Sequence, residues 1–277
     1  MKRLRALITI TRPLNVAIAA LSVVIGALTG PGSPAVWAPL VWAALSAALI
    51  TAGGNTLNDV ADFEIDRVNK PFRPLPSGIL PVRTAAWWSV LLLAGGVVAA
   101  YPLPAGCRAI VICAAVVIPV YDLWGKGRPL IGNLMVSLIS ALAFLYGSLA
   151  VGRGLWGLIP GVMAFLFHFG REIIKDLEDV EADRTAGLRT WPLTAGEGAA
   201  RLTAQAVLVV LLIVLPLPQV LGWLGVWYLV VVLPGVAVPM VVITVGLSRQ
   251  QDSSGYGRFQ RIMKWDMLVG LMAVLAG

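Results

Sequence analysis

The 277-residue chain is 58% hydrophobic and only 13% charged, where an ordinary soluble domain carries about 25% charged residues. So few charges over this length exclude a water-soluble globular domain and point to a chain whose solvent is mostly lipid. The formal net charge of +7 does not mark a nucleic-acid-binding surface, because the basic residues are distributed as a membrane protein distributes them.

In chain order, Lys2, Arg3 and Arg5 precede the first apolar run. Arg12-Pro13 interrupts that transition, and the run that follows is long for a cleaved leader, so a first spanning helix is expected. Nine spans are expected, at about Leu14–Thr29, Val36–Gly53, Ala85–Ala100, Cys107–Tyr121, Leu130–Ala150, Leu155–His168, Leu202–Leu221, Trp223–Leu247 and Ile262–Ala276. Several fall short of the roughly 20 residues a crossing needs, and the last carries Lys264 and Asp266 at its mouth. Cys107 and Cys113 lie in one apolar span, without metal-thiolate spacing, and read as packing residues.

With these spans, the Lys and Arg residues gather in the N-terminal segment and in every second connection, leaving only Arg108 and Arg153 of the 21 on the other side. All 14 acidic residues share the basic-rich side, which the positive-inside rule makes cytoplasmic. The far-side connections, "GPGSPA" and "LPLPQVLG", are short uncharged turns. The expected chemistry therefore faces the cytoplasm, in the cell membrane.

The acidic residues form a repeat. "NDVADFEIDR" (Asn58–Arg67) and "KDLEDVEADR" (Lys175–Arg184) lie 117 positions apart, and Asp59, Asp62, Glu64, Asp66 and Arg67 fall on Asp176, Asp179, Glu181, Asp183 and Arg184. "RPLPSG" at Arg73–Gly78 is echoed by "TWPLTAG" at Thr190–Gly196, and "RPL" at Arg12–Leu14 by "RPL" at Arg128–Leu130. An even number of spans separates the copies, which predicts parallel repeats facing one side. The expected architecture is all-α: a polytopic bundle of about nine transmembrane helices, forming one membrane-embedded domain over residues 1–277. Its pseudo-repeated four-helix halves cover about 1–121 and 122–247, with an extra helix at about 262–276.

At 100° per residue, Asn55, Asn58, Asp59, Asp62 and Asp66 fall within about 100° of arc on a continuous helix, and Glu172, Asp176, Asp179 and Asp183 form a second stripe joined by His168. Glu64, Glu178 and Glu181 point elsewhere, toward solvent or nearby arginines. Carboxylates stacked on one face repel each other. Either Asp–Arg pairing in a solvated cap or a divalent cation must hold them. Mg²⁺ takes a few carboxylate oxygens together with phosphates and water, so two facing stripes make a diphosphate site. Lys175 stands where the first stripe has Asn58, so the copies are not equivalent. Arg67, Lys70, Arg73, Lys126 and Arg184 are placed to reach phosphate oxygens, or to act as ordinary positive-inside anchors. Asn15, and Tyr121 with Asp122, lie at the same membrane face and are candidate substrate contacts.

"NDVADFEID" reads N-D-x-x-D-x-x-x-D, and "DLEDVEAD" contains D-x-x-D-x-x-x-D. Together they resemble the UbiA superfamily of intramembrane prenyltransferases over nearly the whole chain. The longer stretches "GGNTLNDVADFEIDRVNKPFRPLPSG" and "GREIIKDLEDVEADRTAG" look most like the branch that makes digeranylgeranylglyceryl phosphate for ether lipids. The family's tyrosine–lysine element is represented here by "YDLWGK". The resemblance implies a transferase of prenyl groups that needs Mg²⁺, binding a prenyl diphosphate donor and a lipid-like acceptor among membrane lipids. It implies that Asn58, Asp59, Asp62 and Asp66 hold diphosphate through one ion and Asp176, Asp179 and Asp183 hold the second, with Arg67, Arg73 and Lys126 steadying the leaving group. The implied acceptor is geranylgeranylglyceryl phosphate; a quinone precursor or tetrapyrrole is the alternative. A cation-coupled transporter would need charges near mid-span and access from both sides, and the sequence offers neither.

Overall fold

The computed structural model describes residues 2–30, 37–249 and 251–277. Of the expected "GPGSPA" turn, only Gly30 lies among them, and so does all of the second span except Val36. Among the described residues there is no strand. The helices are α1 (Lys2–Ile10), α2 (Pro13–Leu28), α3 (Ala38–Ala61), α4 (Phe63–Asn69), α5 (Val82–Ala99), α6 (Ala105–Val120), α7 (Ile131–Ala150) and α8 (Leu158–Glu178). They continue as α9 (Val180–Thr185), α10 (Trp191–Ala195), α11 (Glu197–Val214), α12 (Leu217–Val220), α13 (Val226–Val232), α14 (Val238–Gly246) and α15 (Ser253–Ala276). Wide π-type turns follow α6 (Tyr121–Gly125) and separate α13 from α14 (Leu233–Ala237).

Among the described residues, seven helical stretches are long and apolar enough to cross a membrane, and an eighth if α1 and α2, bent by 44°, count as one span. The expected ninth, α15, has the length at 24 residues, but Arg258, Arg261, Lys264 and Asp266 keep it out of that class. It packs instead along α8 and α13. The expected sixth span, ended at His168, runs on to Glu178, so the second acidic motif rides on the spanning helix itself.

Two cores hold the bundle. One joins α2, α3, α6 and α7 through residues such as Val23, Ala43, Val111 and Tyr146; the other joins α8, α11, α13, α14 and α15 through Ile173, Leu208, Tyr228 and Met240. Lipid supplies no hydrophobic drive between helices, so small residues and polar bonds set their approach. Ser46 and Ser89 bond carbonyls across the α3–α5 contact, Ser46 to Gly96 at 2.7 Å and Ser89 to Gly53 at 2.8 Å. At the α2–α7 crossing, a Cβ on Gly26 would strike the carbonyl of Phe144, and one on Gly147 that of Val23. The outer surface exposes Val41, Trp87, Leu91, Ile112, Val116, Val162, Ile213 and Val241, as a lipid-facing surface does.

The connectivity brings the end of α3, the start of α2, the end of α6, the start of α7, the end of α8 and the start of α15 to one end of the bundle. Arg108 and Arg153 belong to the opposite end.

Candidate active site

Each acidic motif sits at a break in a helix. α3 stops at Ala61 and α4 starts at Phe63, with Asp62 between them at φ −85°, ψ 3°; α8 stops at Glu178 and α9 starts at Val180, with Asp179 at φ −95°, ψ 7°. The sparsely populated bridge region at these two residues corrects the expectation of continuous helices. The stripe is bent at its middle carboxylate, although Asp66 N–H still reaches the Asp62 carbonyl at 2.8 Å and Asp183 N–H that of Asp179 at 2.8 Å.

The first motif is surrounded by cations from other segments. Arg12, in the left-handed turn between α1 and α2 (φ 52°), donates to Asp59 Oδ1 at 2.5 Å and to Asn58 Oδ1 at 3.2 Å. Arg73 donates to Asp66 Oδ2 at 2.5 Å and lies 3.5 Å from Asp59 Oδ1. Its loop is anchored by Leu75 and Leu80, buried against Ala6 and Ile10 of α1. Lys126 pairs with Asp62. Asn58 donates to Asp122 Oδ1 at 2.9 Å, and Asn55 to the Thr11 carbonyl at 2.8 Å.

The second motif opens onto a pocket of about 450 Å³, lined by Tyr121, Lys126, Gly132, Asn133, Glu172, Lys175, Asp176, Asp179, Asp183 and Thr190. The sequence reading did not pick out Asn133. It is buried on α7 and donates to Asp176 Oδ2 at 2.9 Å. The available signal was an amide in the first turns of an apolar helix after "RPL", the same signal that selected Asn15. Lys175 lies 3.8 Å from Asp179, and Arg171 3.0 Å from Glu172. Burial, followed by the neighbouring Asp179 charge, raises the Asp183 carboxyl above the usual carboxylate range.

The segment 121–128 ties the two motifs together. Tyr121 opens the π-type turn that closes with Lys126 N–H on the Tyr121 carbonyl at 2.7 Å, a turn often found at functional sites. A Cβ on Gly132 would meet the Gly125 carbonyl at 2.9 Å, so α7 starts flush against this turn. Lys126 then touches Asp62 and faces Asp176, Asp179 and Asp183 in one pocket.

Two expected residues stand apart. Arg67 is exposed, pairs with Glu64 at 3.1 Å and lies over the Phe63 ring. Asn15 is exposed on α2, one turn past Arg12, and no side-chain bond is formed by it among the described residues. Glu181 pairs with Arg184 at 3.1 Å, off the stripe as its spacing predicts.

Among the described residues no three acidic, histidine or cysteine side chains converge as a metal cluster. Mg²⁺ needs no such cage, only one or two carboxylates completed by phosphate oxygens and water. The side chains at hand are hard oxygen donors, and the buried Asp122 Oδ2 beside Asn58 has no hydrogen-bond partner. The donor set fits that ion.

The profile of the UbiA prenyltransferase family matches residues 19–268. The chain belongs to this family. Among its UbiA relatives, digeranylgeranylglyceryl phosphate synthase of Methanopyrus kandleri is 40% identical over 276 residues, covering 99% of each chain. The same-named protein of Halobacterium salinarum is 38% identical over 277 residues, covering 99% of this chain and 97% of the relative. In three dimensions, a solved structure described as digeranylgeranylglyceryl phosphate synthase in membranes superposes with a TM-score of 0.78 at 27% identity, over 100% of this chain and 99% of that one. A UbiA homologue from Archaeoglobus fulgidus bound to DMAPP and Mg²⁺ shares the fold, with a TM-score of 0.71 at 21% identity and 100% coverage of both chains. The protein is thus an integral membrane prenyltransferase of the UbiA type, helical and without a strand among its described residues.

Proposed function

We propose that this enzyme transfers a geranylgeranyl group from geranylgeranyl diphosphate to the free hydroxyl of geranylgeranylglyceryl phosphate, forming an ether, with Mg²⁺ at its two acidic motifs and its active site on the cytoplasmic face of the cell membrane. The observation that carries this reading is the convergence of both motifs on Lys126, in a chain 40% identical along nearly its full length to a relative named for that product.

Asp59, Asp62 and Asp66 would hold one ion and Asp176, Asp179 and Asp183 the other, with Asn58 as a neutral oxygen donor. Bound there, Mg²⁺ would offset the negative charge that builds on the departing diphosphate. Arg12, Arg73 and Lys126 already neutralise the first motif, and their guanidinium and ammonium groups are placed to meet phosphate oxygens as charge-assisted donors. Tyr121 and Lys175, on the rim of the second motif's pocket, orient the head groups. The apolar helices below the motifs keep water from the allylic carbon, so that the acceptor's hydroxyl captures it. The internal duplication fits the same reading: each half supplies one acidic motif to one diphosphate.

A donor diphosphate and an acceptor phosphate need separate cations. Lys126, between the motifs, serves both; Arg12 and Arg128 stand at the same end of the bundle. The test is mass spectrometry of products from purified protein offered geranylgeranyl diphosphate with geranylgeranylglyceryl phosphate, or with aromatic acceptors. Diether is expected, and Lys126→Ala raises the acceptor KM more than the donor KM. Turnover of an aromatic acceptor without diether would overturn the substrate assignment.

A further inference from the structure

The pocket of about 450 Å³ at the second motif carries three cations on its lining, Lys126, Arg128 and Lys175. Two of them face carboxylates: Lys126 pairs with Asp62, and Lys175 lies 3.8 Å from Asp179. Arg128 does not. Among the described residues no carboxylate comes within ion-pair distance of it. Its guanidinium lies instead over the Trp124 ring, 4.1 Å from the centroid, and its Nε donates to the Trp124 carbonyl at 3.3 Å. Ring and carbonyl together fix the guanidinium plane, and among the described residues neither terminal nitrogen is bonded. A guanidinium held in one plane with its fork free suits a phosphate, which it takes by two parallel bonds.

Thr190 is the second unsatisfied group on this lining. It is 7% exposed, and its buried Oγ1 has no hydrogen-bond partner. A threonine just before a helix ordinarily turns its oxygen onto the backbone that follows, yet Thr190 makes no such bond to α10. Its neighbour is the Asp183 carboxylate, with which it does not reach hydrogen-bonding geometry. Thr190 and Arg128 belong to segments that are strapped together. Arg189 N–H donates to the Gly127 carbonyl at 2.9 Å, and a Cβ on Gly127 would meet the Leu188 side chain at 2.8 Å. The residues that follow the two partners of this bond, Arg128 and Thr190, therefore flank one stretch of the pocket wall.

Resting on the ether-forming reaction proposed above, we propose that Arg128 and Thr190 form the subsite for the acceptor's phosphate, and so select a phosphorylated acceptor over a neutral one. In geranylgeranylglyceryl phosphate the free hydroxyl and the phosphate sit on adjacent carbons of the glycerol. A hydroxyl brought to the allylic carbon of a donor held at the motifs thus leaves its phosphate in the same pocket. Lys126 is shared with Asp62 and with the donor's diphosphate, whereas Arg128 is the pocket cation that no carboxylate occupies. Its fork takes two phosphate oxygens, and the Thr190 hydroxyl donates to the same group. The phosphate does not react; held there, it keeps the neighbouring hydroxyl against the carbon it attacks.

The test measures initial rates of the full chain in lipid nanodiscs, with geranylgeranyl diphosphate and either geranylgeranylglyceryl phosphate or its dephosphorylated form, geranylgeranylglycerol. Wild type should favour the phosphorylated acceptor in kcat/KM by about 30-fold or more. Arg128→Gln removes the charge, and Arg128→Lys keeps it without the fork. Their acceptor KM should rise by about 30-fold and about 10-fold, with donor KM within about twofold. Thr190→Val keeps the shape without the hydroxyl and should raise acceptor KM by about 3- to 10-fold. In Arg128→Gln the preference for the phosphorylated acceptor should nearly vanish while turnover of geranylgeranylglycerol persists, a pattern that loss of packing would not produce. Equal use of the two acceptors by wild type, or an undiminished preference in Arg128→Gln, would overturn the subsite. So would equal rises in donor and acceptor KM, since Arg128 would then serve the diphosphate. Should Arg128→Gln fail to fold, Arg128→Lys and Thr190→Val decide, and an unchanged acceptor KM in both sinks the proposal. A wild type that makes no diether removes the substrate reading and this subsite with it; diether from wild type with the preference intact in the variants removes the subsite alone.

Discussion

The two acidic motifs have nearly the same sequence and the same backbone break, yet they live in opposite electrostatic surroundings. Asp59 and Asp62 are paired with cations from distant segments, Arg12 and Lys126, and Asp66 with Arg73 of the loop that follows its own helix. In the second copy, Asp176 accepts from a neutral amide, Asp179 has a lysine only at 3.8 Å, and a pocket of about 450 Å³ opens in front of them. The difference traces to single positions. Where the first copy has Arg73, the repeat places Thr190. Where the first "RPL" sets Arg12 directly on the motif's carboxylate, the second leaves Arg128 on the lining of the pocket, held over the Trp124 ring 4.1 Å from its centroid. An acidic motif is thus only half of a site; the basic residues that neighbouring segments deliver decide whether it is closed by protein cations or left open for a ligand.

The largest effects should come from the carboxylates themselves. Asp59→Ala, Asp62→Ala and Asp176→Ala are each expected to lower kcat by about 100- to 1000-fold or more, read as product formation at saturating donor. If the second motif tolerated alanine while the first did not, the two sites would not serve one diphosphate. Next comes the support of the open motif. Asn133→Leu removes the amide that orients Asp176 and should weaken Mg²⁺ affinity by about 10- to 100-fold, seen as a higher Mg²⁺ concentration for half-maximal activity.

The missing cation can also be restored. Thr190→Arg gives the second motif the guanidinium that the first has, and should raise the half-maximal Mg²⁺ concentration by about tenfold through competition for the same carboxylates. An unchanged Mg²⁺ requirement would show that position 190 does not set the difference.

A smaller effect concerns Asp183, whose carboxyl is raised by burial and by Asp179. A carboxyl raised on folding imposes no penalty below its unfolded pKa; the penalty grows as pH rises and is complete above the folded value. Asp183→Asn should therefore raise Tm slightly in metal-free buffer at neutral pH, with the gain vanishing near pH 3. A Tm difference independent of pH would contradict the burial argument. Least affected should be Glu64→Ala and Glu181→Ala. Both are exposed pairs with Arg67 and Arg184, of the kind worth about 0–1 kcal/mol, and activity should stay within about twofold.

Much of this was legible in the sequence because lipid is a strict solvent. Low charge, one-sided basic loops and the doubled acidic decade were enough for an all-helical membrane bundle with its polar residues at one end. The off-stripe positions of Glu64 and Glu181 followed from helical spacing alone. What spacing does not encode is partnership between distant segments. Nothing around Arg12 announces that a left-handed turn will aim it at Asp59, and nothing around Asn133 announces Asp176. The continuous-helix geometry missed the breaks at Asp62 and Asp179, because a residue in the bridge region leaves the 3.6-residue periodicity of its neighbours almost intact. Arg67 was drawn toward phosphate by its place beside the motif, yet its nearest anion is Glu64, three residues back on the same short helix. α15 was too polar at its start to rank as an ordinary span, for the reason that its first half is fastened to the end of α8.

The crossing of α2 and α7 has a mechanical consequence. Gly26 and Gly147 let the two main chains touch without intervening side chains, and each of these helices begins beside one of the acidic motifs. The gauge of the catalytic mouth is therefore fixed by a seam of bare backbone well below it, much as the rivet of a pair of tongs fixes the gap between its jaws. One methyl group added at the rivet would pry the jaws apart while leaving every residue of the mouth in place.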